Sequence, residues 1–262
     1  MDKFLVRGTC KSPAGQEGRA SPEPKAEDTA SCAEEGSSGE EKRPRLEASH
    51  QEDLGLKCAP WKQIRAEGLS CDYIILFGRS EADRIFQELE KEVEYSEVGA
   101  KLHIFGKWHN IPRKQVTYGD AGLTYTYSGT TFTPKPWIPV LDRIRDRIQL
   151  ATGHTFNFVL INRYKDGHDH MGEHRDDERE LVPRSPIAST SFGACRDFVF
   201  RHGASRGKGA SCHLSPIRLQ LEHGSLLMMN YPTNRYWYHS VPSRKKVLAP
   251  RINLTFRKVM VL

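Results

Sequence analysis

No run of apolar residues in the 262-residue chain approaches the roughly 18 that a membrane-spanning helix requires, so no transmembrane segment is expected. The start of the chain lacks the apolar core of a secretory signal. Cys10, Cys32, Cys58, Cys71, Cys195 and Cys212 are scattered, and no CxxC occurs. In a chain this long, that pattern reads as reduced thiols in a cytosolic or nuclear compartment. Aromatic residues are absent between Phe4 and Trp61, and residues 8–57 are dominated by Gly, Ser, Pro, Glu and Ala. Such a segment cannot bury enough apolar surface to offset its ordering entropy. The expected organisation is a disordered tail over 1–57 and one folded domain over 58–262, with no internal repeat.

What is present is unevenly charged. Residues 1–57 hold nine Lys and Arg against twelve Asp and Glu, whereas the remainder holds 30 against 21. A basic folded part points to a polyanion, with nucleic acid first among the candidates. Two islands stand out in the tail. "KFLVR" combines Lys3 and Arg7 with the apolar trio Phe4, Leu5 and Val6, and "KRPR" at 42–45 is a short basic cluster of nuclear-import type.

In the folded part, "SEADRIFQELEKEVEY" reads as a helix, with Ser80 as its cap, Asp83 three residues on, and an apolar stripe of Ile85, Phe86, Leu89 and Val93. A second helix is expected over about 137–150, with Pro136 and Pro139 near its start and Gly153 just past its end. The pattern then changes. "FNFVLINRY", "IASTSFG", "DFVFRH", "IRLQL", "GSLLMMN", "WYHSV" and "INLTFRKVMVL" are short, β-rich and mostly separated by turn residues. The fold class read from this order is α+β, a β-sandwich or jelly roll buttressed by helices.

"GEHRDDERE" places His174 two residues before Asp176. On a strand such residues share a face, with Cα atoms ~6.6–6.8 Å apart, and both side chains could converge on one ion. His239 in "WYHSV" is the best third ligand. Two histidines and one carboxylate on one face of an octahedral metal leave the opposite face open, as in non-haem Fe(II) oxygenases. "DGHDH", with His168 and His170 about Asp169, is the rival, although its Asp-Gly marks a turn facing solvent. His109, His154, His202, His213 and His223 have no comparable acid partner in sequence.

An open-faced iron requires a co-substrate that supplies two electrons. "RINLTFR" spaces Arg251 and Arg257 so that they share one strand face, with Asn253 and Thr255 between them. Two inward guanidinium groups would suit a small dicarboxylate. Asn162 and Tyr164 also share a face and could add hydrogen bonds. An outward, merely solvated face for both arginines fits the spacing equally well.

Together, "HRDDERE", "WYHSV", "RINLTFR", "INRYKDG" and "SFGACRDFVFRH", in the chain at these places, resemble the AlkB family of Fe(II)/2-oxoglutarate dioxygenases. "FGKWHNIPRKQVTYGDAGLTYTYSG" resembles the branch that acts on double-stranded DNA in the nucleus. The resemblance implies a double-stranded β-helix using Fe(II), 2-oxoglutarate and O2. It implies iron on His174, Asp176 and His239, and 2-oxoglutarate on Asn162, Tyr164, Arg251 and Arg257. The implied reaction hydroxylates an N-methyl group of 1-methyladenine or 3-methylcytosine, releasing formaldehyde, succinate and CO2.

A methyl group on the pairing edge is hidden in a duplex, so the nucleotide must be flipped out and the gap filled. By itself Phe105 reads as a core residue on a hairpin; the resemblance makes it the intercalating finger. It likewise implies that Tyr125 stacks on the base and that Glu178 contacts it. Arg206, Lys208, Arg244, Lys245 and Lys246 could neutralise phosphates. The tail's "KFLVR" resembles a motif that docks on the sliding clamp PCNA. A monomer is expected. The readings that compete are an RNA demethylase and a nucleic-acid-binding module without catalysis.

Overall fold

The computed structural model describes residues 60–95, 101–104, 107–110, 112–127, 130–206 and 214–261. The chain divides into Met1–Leu54 and Gly55–Leu262, and all the described residues belong to the second unit. The predicted tail motifs, Phe105 and Lys208 lie outside the described residues.

The sheet begins before the first helix, earlier than the sequence suggests, because β1 (Lys62–Ala66) and β2 (Leu69–Ile75) form a hairpin. Helix α1 (Arg79–Glu92) follows, then β3 (Lys101–Ile104) and β4 (Lys107–Asn110), which pair antiparallel. Next come β5 (Lys114–Gly119), the short hairpin of β6 (Tyr125–Tyr127) and β7 (Thr130–Phe132), and α2 (Pro139–Thr152). Strands β8 (Phe158–Tyr164), β9 (Met171–His174), β10 (Ile187–Gly193), β11 (Arg196–His202), β12 (Ile217–Leu221) and β13 (Ser225–Met229) lead to the single-turn α3 (Thr233–Tyr236). The chain returns through β14 (Trp237–Val241) and β15 (Arg251–Arg257).

Seven strands form one sheet, in the order β1-β2-β13-β10-β15-β8-β5, and four form a second, β12-β11-β14-β9. All pairings between them are antiparallel, and the arrangement is a jelly roll. One core cluster joins the helices to the outer face of the large sheet, through Ile85, Leu89, Leu141, Ile144 and Ile148 against Ile161, Leu254 and Phe256. Each such side chain removed from water contributes ~1.5–3 kcal/mol. A second cluster, including Phe198, Phe200, Leu227, Met229 and Trp237, fills the space between the two sheets.

Two helix expectations need correction. Ser80 does not cap α1. The cap is Gly78, no side chain closes it, and Ser80 lies inside the first turn. Asp83 instead reaches His223 Nε2 at 3.0 Å, an acid partner 140 residues away in the chain. Helix α2 starts at Pro139, two residues later than expected. Pro139 fits there because its fixed φ suits the first turn and its missing N–H is not needed. Gly153 ends α2 with φ 72° and its N–H on Gln149 O, a left-handed cap that glycine adopts without steric penalty.

Candidate metal and co-substrate site

Strand β15 carries the site because its two faces differ. Ile252, Leu254 and Phe256 join the cluster under the helices. Arg251, Asn253, Thr255 and Arg257 alternate with them, and all four are buried. The outward, solvated reading of the two arginines is therefore excluded. Neighbouring β10 offers small hydroxyls to the same face: Arg251 Nη2 donates to Ser191 Oγ at 2.9 Å, and Asn253 Nδ2 donates to Ser189 Oγ at 2.9 Å.

His174 is the last residue of β9 and sits opposite His239 of β14 in register. Their ring centres are 4.2 Å apart. Asp176 is not on that strand, contrary to the alternating-face expectation. It lies just beyond the end of β9, where the chain turns inward and buries the carboxylate. The result is the same convergence by another route: one potential ligand atom from each of His174, Asp176 and His239 lies within 4.8 Å of the others. The rival trio does not assemble. Asp169 is buried and accepts from Lys165 N at 2.8 Å, while His168 and His170 are exposed.

The electrostatics favour a cation. Burial alone would raise the Asp176 pKa, but the Arg257 guanidinium, with Nη2 3.0 Å from Oδ1, holds it down at about 2. Asp176 Oδ2 and His239 Nδ1 are buried with no hydrogen-bond partner. His174 Nδ1 lies 3.0 Å from Gly172 O, which places its proton there and leaves the Nε2 lone pair facing Asp176 at 3.7 Å. Two imidazoles and a carboxylate kept ionised and short of donors suit a divalent transition metal.

The adjoining cleft is lined by Asn162, Tyr164, Asn253, Thr255 and Arg257 together with the three ligand candidates. Arg251 does not line it directly; its guanidinium stands 5.2 Å from the Tyr164 ring centre, at the far end. Arg251 Nε and Nη1 and Arg257 Nε are buried donors without acceptors. Burial lowers the Arg251 pKa, and among the described residues no carboxylate pairs with it. One cation near the metal candidates and one beyond Tyr164 fit a molecule with a carboxylate at each end.

The predicted base contacts fare unequally. Tyr125 is fully buried and packs on Phe158 at 4.5 Å, so its ring forms a wall here and not an open stacking surface. Burial pushes Glu178 up to about 7 against the pull of Arg257, and its Oε2 has no partner. Among the basic residues, Arg206 is 3.3 Å from Glu173 and Arg244 is paired with Asp197, while Lys245 and Lys246 are exposed. Two supporting residues were not legible. Arg113 Nε donates to Asn162 Oδ1 at 2.8 Å. Buried Arg196 donates to the carbonyls of Asp166, Asp169 and Pro242 and lies 5.6 Å from the Tyr164 ring. The only sequence signal for Arg196 was its place in "SFGACRDFVFRH".

His239 yields a pH prediction. Burial, and then His174, pull its pKa from the usual 6.5 to about 3, so the folded chain keeps this imidazole neutral. The unfolded chain binds a proton near 6.5 that the folded chain refuses. Stability of the metal-free protein is therefore complete above 6.5 and falls as pH drops toward 3. One such proton gives a slope of up to ~1.4 kcal/mol per pH unit. Urea titrations across that window should show the fall, and His239→Gln should flatten it; equal slopes in the two proteins would contradict the assignment.

Comparisons with known proteins agree with this geometry. Residues 73–257 match the 2OG-Fe(II) oxygenase superfamily. The DNA oxidative demethylase ALKBH2 of Bos taurus is 63% identical over 262 residues, covering 99% of this chain and 92% of that protein. That of Homo sapiens is 62% identical over 263 residues, covering 100% and 99%. The alpha-ketoglutarate-dependent dioxygenase alkB homolog 3 of Homo sapiens is 39% identical over 182 residues, covering 68% and 62%. With a two-histidine, one-carboxylate cluster inside a jelly roll and relatives this similar along their whole length, the chain belongs to the 2OG-Fe(II) oxygenase superfamily and, within it, to the AlkB family.

Proposed function

We propose that the protein is an Fe(II)/2-oxoglutarate-dependent DNA oxidative demethylase that removes N-methyl groups from 1-methyladenine and 3-methylcytosine in duplex DNA. The observation that carries this reading is the convergence of His174, Asp176 and His239 beside buried Arg257. His174, Asp176 and His239 would hold the iron. Asn162, Tyr164, Arg251 and Arg257 would hold 2-oxoglutarate. When bound there, iron and 2-oxoglutarate would supply the O2 chemistry that inserts one oxygen atom into a methyl C–H bond, with the other oxygen atom ending in succinate as CO2 is lost. The hydroxymethylated base then loses formaldehyde and regains its pairing edge.

The chain's residues do the rest. Arg257 keeps Asp176 ionised in a buried setting where it would otherwise take a proton. Gly172 O fixes the His174 tautomer. Phe198 lies against the His239 ring at 5.2 Å and 22°, and with Met171, Leu160 and Met229 it lines an apolar wall that limits water around the reacting atoms. Phe105, which follows β3 in the chain, would fill the gap left by the flipped nucleotide.

Single-turnover formaldehyde release from methylated duplex DNA tests the reaction. Release should require both iron and 2-oxoglutarate and should vanish in Asp176→Ala while the fold persists. Phe105→Ala should lower release from duplex more than from single strands, because only a duplex must be held open. Full activity of Asp176→Ala would contradict the metal assignment, and equal losses on both substrates would contradict the wedge.

For the tail, we propose that Lys3, Phe4, Leu5, Val6 and Arg7 dock on PCNA and tether the enzyme near replicating DNA, raising its local concentration. A peptide of the first ten residues should bind the clamp, and Phe4→Ala should remove binding without altering turnover on naked DNA. No binding at hundreds of micromolar would end this proposal.

A further inference from the structure

A second cavity of about 230 Å³ also reaches Asp176, lined by Glu178, Arg184, Met229, Tyr231 and Arg235 among others. Its rim carries an unusual turn. Ser185 N donates to Val182 O at 3.1 Å, closing a four-residue turn with Pro183 second and Arg184 third. Arg184 has φ 62°, and it is the one non-glycine residue with positive φ among the described residues. A turn with Pro second and positive φ third normally takes glycine there, or asparagine. Arginine in that conformation is strained, and such strain persists where the side chain has a task.

The guanidinium of Arg184 lies 5.1 Å from the ring centre of Tyr231. From another side, Arg235 Nη1 is 3.5 Å from the Tyr231 hydroxyl. Tyr231 is 46% exposed, so its two arginine partners stand at the surface. Other arginines of this region are already neutralised: Arg175 by Asp177, Arg201 and Arg206 by Glu173, and Arg244 by Asp197. Among the described residues, Arg184 and Arg235 have no carboxylate within ion-pair distance. They are thus a pair of permanent, unneutralised charges, oriented by one tyrosine, at the mouth of a cavity that ends on a metal-ligand candidate.

We propose that Arg184 and Arg235, set by Tyr231, form a phosphate clamp for the DNA strand flanking the target nucleotide. This rests on the demethylase reading and extends it. Guanidinium forks match phosphate oxygens in bidentate fashion, and stacking on a tyrosine reduces the freedom lost on binding. The clamp would act through the backbone, adding affinity and register without reading sequence.

Binding of a labelled, undamaged DNA duplex to the full chain, followed by fluorescence anisotropy over a range of salt, tests the clamp without turnover. The double variant Arg184→Gly/Arg235→Gln should bind about tenfold more weakly. Its plot of log affinity against log salt should be shallower by about 1.8, two phosphates at ~0.9 each. Arg184→Gly alone should melt no lower than the parent, because glycine suits the turn, so that weaker binding cannot be ascribed to unfolding. Unchanged affinity and slope in the double variant would overturn the clamp, as would a loss confined to RNA duplexes tested alongside. A parent chain that shows the DNA binding and its loss on substitution, yet releases no formaldehyde from methylated DNA, contradicts the proposed reaction and upholds the clamp.

Discussion

Arg257 and Asp176 face each other 3.0 Å apart, with side chains 3% and 1% exposed. A carboxylate buried to that degree would bind a proton if left alone, and a protonated Asp176 is a poor metal ligand. The guanidinium prevents this, and Asp176 in turn raises the pKa of Arg257 against the effect of burial. Because Asp176 lies outside any strand, this pair is also what fixes it opposite His174 and His239. Removing one partner would strand the other charge in the interior, at ~3–5 kcal/mol. The metal site, the ionisation state of its carboxylate and the local path of the chain after β9 all depend on one contact.

That contact is available because β15 is an inner strand, with β10 on one side and β8 on the other. Its apolar residues tie it to the helices, and its polar residues project between the sheets. Hydrogen bonds donated by Arg251 to Ser191 and by Asn253 to Ser189 satisfy part of that polar face. What remains unsatisfied is informative: donors of Arg251 and Arg257 stay buried without acceptors in a well-packed fold. Buried polar groups are seldom left unpaired unless a ligand or water completes them. A second tier of arginines supports the first. Arg113 orients Asn162, and Arg196 binds three carbonyls of the loops that flank Tyr164.

Much of this was readable in advance, for specific reasons. "WYHSV" coincides with β14 to the residue, since β-branched and aromatic residues bounded by turns mark strands well, whereas "INLTFRKVMVL" overruns β15, which begins one residue earlier and stops at Arg257. The ligand trio was found for a partly mistaken reason, because an HxD spacing suggests one strand face whereas Asp176 has left the strand. Ser80 failed as a cap because Gly78 starts α1 two residues earlier. Long-range pairings were the least visible. A buried arginine such as Arg196 looks like any surface arginine in a one-dimensional string, and neither the Asp83–His223 contact nor the neutralisation of Arg206 by Glu173 has a local signature. The strained Arg184 was also hidden, because nothing in the string marks an arginine held at positive φ.

The central claim is that the inward charges of β15 form an incomplete site, finished by a dianion. Thermal unfolding of the metal-loaded protein with and without 2-oxoglutarate, in the parent and in Arg251→Met, tests this most directly. Among the described residues Arg251 has no anionic partner, so an apolar replacement of similar length should hold or raise the baseline stability. The parent should be stabilised by 2-oxoglutarate, by ~2.7 kcal/mol at a hundredfold excess over its dissociation constant. In Arg251→Met that gain should largely disappear at the same concentration. An undiminished gain in Arg251→Met, or none in the parent, would contradict the account.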